Sequence, residues 1–164
     1  TPYTTPSSRS QLGGGLPVSA CLGRREVMGA WGAPGGEAIH TSTFLGHPLA
    51  CAAALATLEV MENERLAERA VRIGEPFRDR LRAKLSAHRC VSGVRGVGLM
   101  LGIELDGGAR GLRIVRKLLE RGYLVLPAGP DARVLSVTPP LSIEEALLDA
   151  FGAALDAALT EDGP

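Results

Sequence analysis

The sequence predicts an α/β chain that passes into a small α+β unit. Three observations predict it. Apolar residues recur at helical spacing over 66–85 and 143–159. They alternate at strand spacing over 97–105. The 21 glycines and 11 prolines fall between such runs rather than in a collagen-like repeat. Hydrophobic residues make up 45% and charged residues 22%, the balance of a folded chain with a core. Eighteen basic and eighteen acidic residues cancel, which argues against a nucleic-acid or anionic-lipid footprint. No apolar run approaches the roughly 20 residues of a membrane span. Cys21, Cys51 and Cys90 are odd in number and far apart, which suits reduced thiols in a cytoplasmic protein better than a disulfide scaffold or a zinc site.

Residues 1–11, rich in Ser, Thr and Pro, read as a disordered leader without the apolar stretch of a secretory signal. Gly13-Gly14-Gly15 makes a tight bend, and Val18 to Leu22 is expected to be a short buried strand. Arg25 to Trp31 provides one or two helical turns, followed by a loop through Gly35-Gly36. Pro48 opens a long helix to Glu64, because a first helical turn has no use for the missing N–H. Its alanines, Ala50 to Ala56, suit a helix held inside against a sheet. Leu66, Ala70, Ile73, Phe77, Leu81 and Leu85 form one stripe of a second helix, which Pro76 is expected to kink or split. A single strand is expected over Val97 to Leu105, then a helix over Leu112 to Arg121 capped by Gly122. Strands follow at Tyr123–Leu126 and Val134–Val137. Ser142 to Glu145 fits a capping box that opens a last helix, and residues 160–164 are expected to fray.

Several stretches carry a resemblance. These are L-G-G-G-L-P-V-S-A at 12–20, H-T-S-T-F-L-G-H-P-L-A-C-A-A-A-L-A at 40–56, V-R-G-V-G-L-M-L-G-I-E-L at 94–105 and V-L-S-V-T-P-P-L at 134–141. Together, in this order, they resemble the class III aminotransferases, pyridoxal phosphate (PLP) enzymes of fold type I that include the ornithine, acetylornithine and 4-aminobutyrate aminotransferases. The resemblance implies that residues 12–64 are the C-terminal part of the PLP-binding large domain. Residues 65–164 would then be the small C-terminal α+β domain. It also implies a homodimer and amino transfer from an amine or amino acid to a 2-oxo acid.

Ser42 and Thr43 are the cofactor-binding candidates. A phosphate takes hydroxyl and backbone N–H donors in a loop that precedes a helix; the resemblance implies that Thr43 contacts the phosphate of the partner subunit's cofactor. A plain helix cap is the alternative. The glycine triplet lacks the G-x-G-x-x-G spacing of a dinucleotide loop. His40 and His47 lack metal-ligand spacing and read as loop or interface residues. Two departures from the family pattern stand out. Ser10 occupies the position where the resemblance places the Schiff-base lysine, and a hydroxyl cannot form an imine. The only lysines are Lys84 and Lys117. Ser136 stands where the resemblance places the carboxylate-reading arginine of ornithine and acetylornithine enzymes, so the parent specificity leans toward ω-amino acids, amines or another member of the group. Arg133, expected on the opposite strand face, is not its substitute. The resulting expectation is a truncated aminotransferase, inactive alone and without covalent PLP. The alternatives are a non-catalytic relative used for binding or dimer contact, and a fragment of a PLP-dependent epimerase of the same family.

Overall fold

The structure, a computed structural model, describes residues 12–20, 23–30 and 44–163. They divide into two compact units, with the boundary between Glu64 and Arg65.

In the first unit, the glycine bend closes on itself through a single bridge between Gly13 and Leu16. A Cβ on Gly13 would lie 2.2 Å from the Leu16 carbonyl oxygen, and Gly14 and Gly15 have φ of +57° and +114°. The bend therefore needs glycine for both clearance and backbone angle. The expected strand from Val18 does not form over Val18–Ala20: Ser19 and Ala20 are exposed and unpaired in any ladder, and the rest of that stretch lies outside the described residues. Two helices follow, α1 (Arg25–Gly29) and α2 (Pro48–Asn63), the latter with proline in its first turn. Only Ala50 and Ala54 of α2 are buried, whereas Leu49, Leu55, Leu58 and Val60 are exposed. No strand of the described residues lies in this unit, so the alanine face has no sheet of its own to cover it.

The second unit holds α3 (Leu66–Leu85), β1 (Val91–Val97), β2 (Met100–Leu105), α4 (Gly108–Glu120), β3 (Leu126–Ala128), β4 (Val134–Val137) and α5 (Glu145–Asp162). Its antiparallel sheet has the order β1-β2-β4-β3. α3 and α4 pack on one face, and α5 closes the core against both helices. Every residue of the α3 stripe is buried, and Ile103, Ile114, Leu118, Leu135 and Leu155 are fully enclosed.

Four expectations are corrected here. The strand expected over 97–105 is a hairpin. Gly98, at φ +55°, turns the chain between Val97 and Met100, which pair with each other. Val97 is consequently 72% exposed rather than in the core. Of the kink or split expected at Pro76, the split does not occur: helix α3 is continuous through it, although a proline nitrogen cannot donate the usual helical hydrogen bond. The capping box does not form. Arg69 donates to the carbonyls of Leu141 (2.5 Å) and Ile143 (2.6 Å), which fixes 141–143 outside the helix, and α5 starts at Glu145 behind Glu144. Finally, 160–162 are helical rather than frayed, because Asp162 is gripped by Arg110, Arg113 and Lys117 of α4.

β1 is an edge strand. Arg78 and Arg82 reach from α3 to its outward carbonyls, at Gly96 (3.2 Å) and Val94 (2.9 Å).

Candidate functional site

Alternation in β2 and β4 sends Leu101, Ile103, Leu105, Leu135 and Val137 into the core. The residues between them face away from the helices. Cross-strand pairing then sets one row over the open face: Arg95 opposite Gly102, Gly102 opposite Ser136, and Ser136 opposite Leu126. Arg95 and Ser136 line one depression of about 260 Å³ together with Gly96, Met100, Gly102 and Val134. A Cβ on Gly102 would lie 3.2 Å from Val134 Cγ1 and 4.0 Å from Arg95 Cγ, so the bare glycine keeps the middle of the row open.

Charge is concentrated at one end of this shelf. Arg95 Nη1 is 2.5 Å from Glu104 Oε2, and Arg133 Nη2 is 3.4 Å from Glu104 Oε1. Arg133 Nε also lies 3.5 Å from Asp131 Oδ2. Glu104 belongs to the open face, so the guanidinium of Arg133 bends round to the side that Ser136 occupies. Arg133 immediately precedes β4 and its carbonyl still accepts from the Leu105 N–H of β2 (2.9 Å), so it is the length of the side chain, not the backbone, that carries its guanidinium away from the expected far face to Glu104. Among the described residues Ser136 is half-buried and its hydroxyl has no hydrogen-bond partner.

The other predicted site residues are less accessible to description. Ser10, His40, Ser42 and Thr43 lie outside the described residues, as does Cys21. His47 is the residue before α2 and sets its ring edge-on to Phe44, with centroids 6.1 Å apart. With Leu16, Pro17, Leu49 and Ala50 these rings line an apolar hollow of about 200 Å³. Cys51 and Cys90 are free thiols. Lys84 is exposed on α3, and Lys117 is bound to Asp162 (3.3 Å); both lysines belong to the second unit.

Arg95 is the site residue that sequence reasoning missed. The signal was Gly98: once 98–99 is read as a hairpin turn, Arg95 falls opposite Gly102 by counting outward from the turn.

Comparison with known proteins bears on what this shelf belongs to. The family model described as aminotransferase class-III matches residues 7–159. The acetylornithine aminotransferase of Methanothermobacter thermautotrophicus is 44% identical over 140 residues, covering 85% of this chain and 34% of the relative. The 5-aminovalerate aminotransferase of Pseudomonas aeruginosa is 40% identical over 146 residues, covering 84% and 33%. Among solved structures, the ornithine aminotransferase of Toxoplasma gondii superposes with a TM-score of 0.77 at 37% identity, over 92% of this chain and 35% of that one. The chain thus spans about a third of the length of these relatives. Since the family model matches residues 7–159 of the 164, the chain belongs to the class III aminotransferases.

Proposed function

We propose that the chain is a substrate-side part of a class III aminotransferase, and that these 164 residues do not catalyse amino transfer by themselves. The reaction it serves is transfer of an amino group from an amine or ω-amino acid to a 2-oxo acid. Enzymes of this family depend on PLP, which supplies the electron sink for amino transfer when it is bound. The single observation that carries the reading is the family match over residues 7–159 with Ser10 at the lysine position.

The described residues do not fit covalent PLP. The anchor must be an amine. Lys117 is committed to Asp162, and Lys84 projects from α3 in a unit without the glycine bend. No step is therefore derived through the cofactor. Ser42 and Thr43 are proposed as phosphate donors only, in a stretch that leads into α2. A homodimer in the cytoplasm is the setting this reading assigns.

Ser136 supports a donor preference away from α-carboxylate recognition at that position. A neutral hydroxyl offers one hydrogen bond where a guanidinium offers two charge-assisted ones.

The test is to mix the purified chain with PLP and follow the aldimine absorbance before and after borohydride, then map any adduct by mass spectrometry. The expected outcome is no stoichiometric, site-specific adduct and no turnover with 5-aminovalerate and 2-oxoglutarate. A single reduced lysine adduct, or turnover, would overturn the proposal.

A further inference from the structure

We propose that Asp106 is a site of spontaneous backbone modification, where the Asp106–Gly107 peptide converts to an isoaspartyl linkage, and that the fold shields Asp162–Gly163 from the same reaction. The inference stands apart from amino transfer.

The chemistry needs only water. The nitrogen of Gly107 attacks Cγ of the Asp106 carboxylic acid. The N–Cγ bond forms, the Cγ–OH bond breaks, and the hydroxyl leaves as water with the amide proton. The product is a five-membered succinimide, which a second water opens. Opening at Cγ restores aspartate. Opening at the main-chain carbonyl leaves the chain running through Cγ and frees the former main-chain carbonyl as a carboxylate. One water is lost and one regained. A following glycine favours ring closure because no Cβ stands beside the attacking nitrogen.

The Asp-Gly pair occurs twice in the sequence, at 106–107 and 162–163, and the structure treats the two oppositely. Asp106 lies in the bend between β2 and α4 with 48% of its side chain exposed. Among the described residues its carboxylate has one partner, Arg110 Nε, 2.9 Å from Oδ1. The Gly107 N–H donates to no acceptor among the described residues, and a Cβ on Gly107 would meet nothing within 4 Å. The attacking nitrogen is thus free, and there is space for the ring.

Asp162 has only 3% of its side chain exposed, under Arg113, Arg110 and Lys117. The hydrogen bond from Arg113, followed by that from Lys117, holds its pKa at about 2 despite burial, so the acid form that loses hydroxyl is scarce. The next residue is also tied. The Gly163 N–H donates to the Thr160 carbonyl (3.4 Å), and the Gly163 carbonyl accepts from Arg110 (2.7 Å). Modification at 106 would lengthen the main chain by one carbon at the joint of β2 and α4. It would also remove the side-chain carboxylate from Arg110, which α5 shares through Asp162.

The experiment is to age the whole 164-residue chain in neutral buffer, folded and in guanidinium chloride, and then digest it with trypsin. Asp106 falls in the peptide Gly96–Arg110, and Asp162 in Val134–Pro164. Isoaspartate is read at each position by electron-transfer fragmentation. The folded chain is expected to accumulate at least fivefold more at 106 than at 162. In denaturant the two yields are expected to agree within twofold, because the shield is gone. Gly107→Ala, at an extended φ of −173° with open space for the methyl group, is expected to cut the yield at 106 at least fivefold. Four results would each overturn the proposal. These are a yield at 106 no higher than at Asp149 and Asp156, which precede alanines, equal yields at 106 and 162 in the folded chain, a difference that persists in denaturant, and an unchanged yield in Gly107→Ala.

Discussion

Asp162 lies in the last turn of α5 with only 3% of its side chain exposed, and three cations of α4 converge on its carboxylate. Arg113 is 2.8 Å away, Arg110 3.0 Å and Lys117 3.3 Å. The hydrogen bond from Arg113, seconded by Lys117, outweighs burial and lowers its pKa from 3.8 to about 2. Because the folded form holds the proton less tightly than the unfolded chain, the stabilisation is complete above about pH 4. It fades as pH falls through about 2. A shift of this size corresponds to about 2 kcal/mol. Asp162→Asn is therefore expected to lower urea stability by about 1–2 kcal/mol at pH 7. The gap between the two proteins should narrow as pH drops below 4; a gap that stays constant down to pH 2.5 would refute the linkage. Composition could not foretell this residue. Asp162 reads as part of a polar tail until the α4 cations, 45–52 positions away, are brought beside it. Ser136 was legible as a departure because a family pattern frames it. Arg95 was not, because its importance depends on which residue lies across the hairpin.

The joint between α3 and the β1–β2 hairpin is a close backbone-to-backbone approach. A Cβ on Gly74 would lie 2.2 Å from the Gly98 carbonyl oxygen, and both partners there are backbone. Alanine is favoured over glycine inside a helix by about 1 kcal/mol, yet overpacking against a fixed backbone costs about 1–3 kcal/mol. Gly74→Ala is expected to lower the thermal midpoint, and a rise would show that the hairpin turn yields easily. Long elements with a strong period were the legible ones: the α3 stripe of Leu66, Ala70, Ile73, Phe77, Leu81 and Leu85 was read residue for residue. Short elements were displaced. The helix expected from Leu112 starts at Gly108, since Gly108 and Gly111 allow it to approach the backbone of Asp131 and Ala132. The strand expected at 123–126 is β3 at Leu126–Ala128, set by pairing to β4. The start of α5 moved because Arg69, some seventy residues away in the chain, claims the carbonyls at 141 and 143. Local periodicity cannot carry such information; it resides in tertiary hydrogen bonds.

For the molecule as a whole, the two units are unequally self-sufficient. The second has a continuous core of buried side chains, whereas in the first Phe44, Leu45, Leu49 and Leu55 are all more than 60% exposed. Apolar surface of this kind favours association. The chain is expected to sediment as a dimer or larger species, and Leu55→Glu with Leu58→Glu to shift it toward monomer. A monomeric unaltered chain at micromolar concentration would count against this. How such association proceeds is constrained by the β1 edge. With the guanidinium groups of Arg78 and Arg82 on its outward carbonyls, that ribbon offers a newcomer no ready template for strand addition. Clumps of this protein should accordingly be side-chain-driven and dispersible, staining poorly with thioflavin, rather than growing as cross-β fibrils from this border of the sheet.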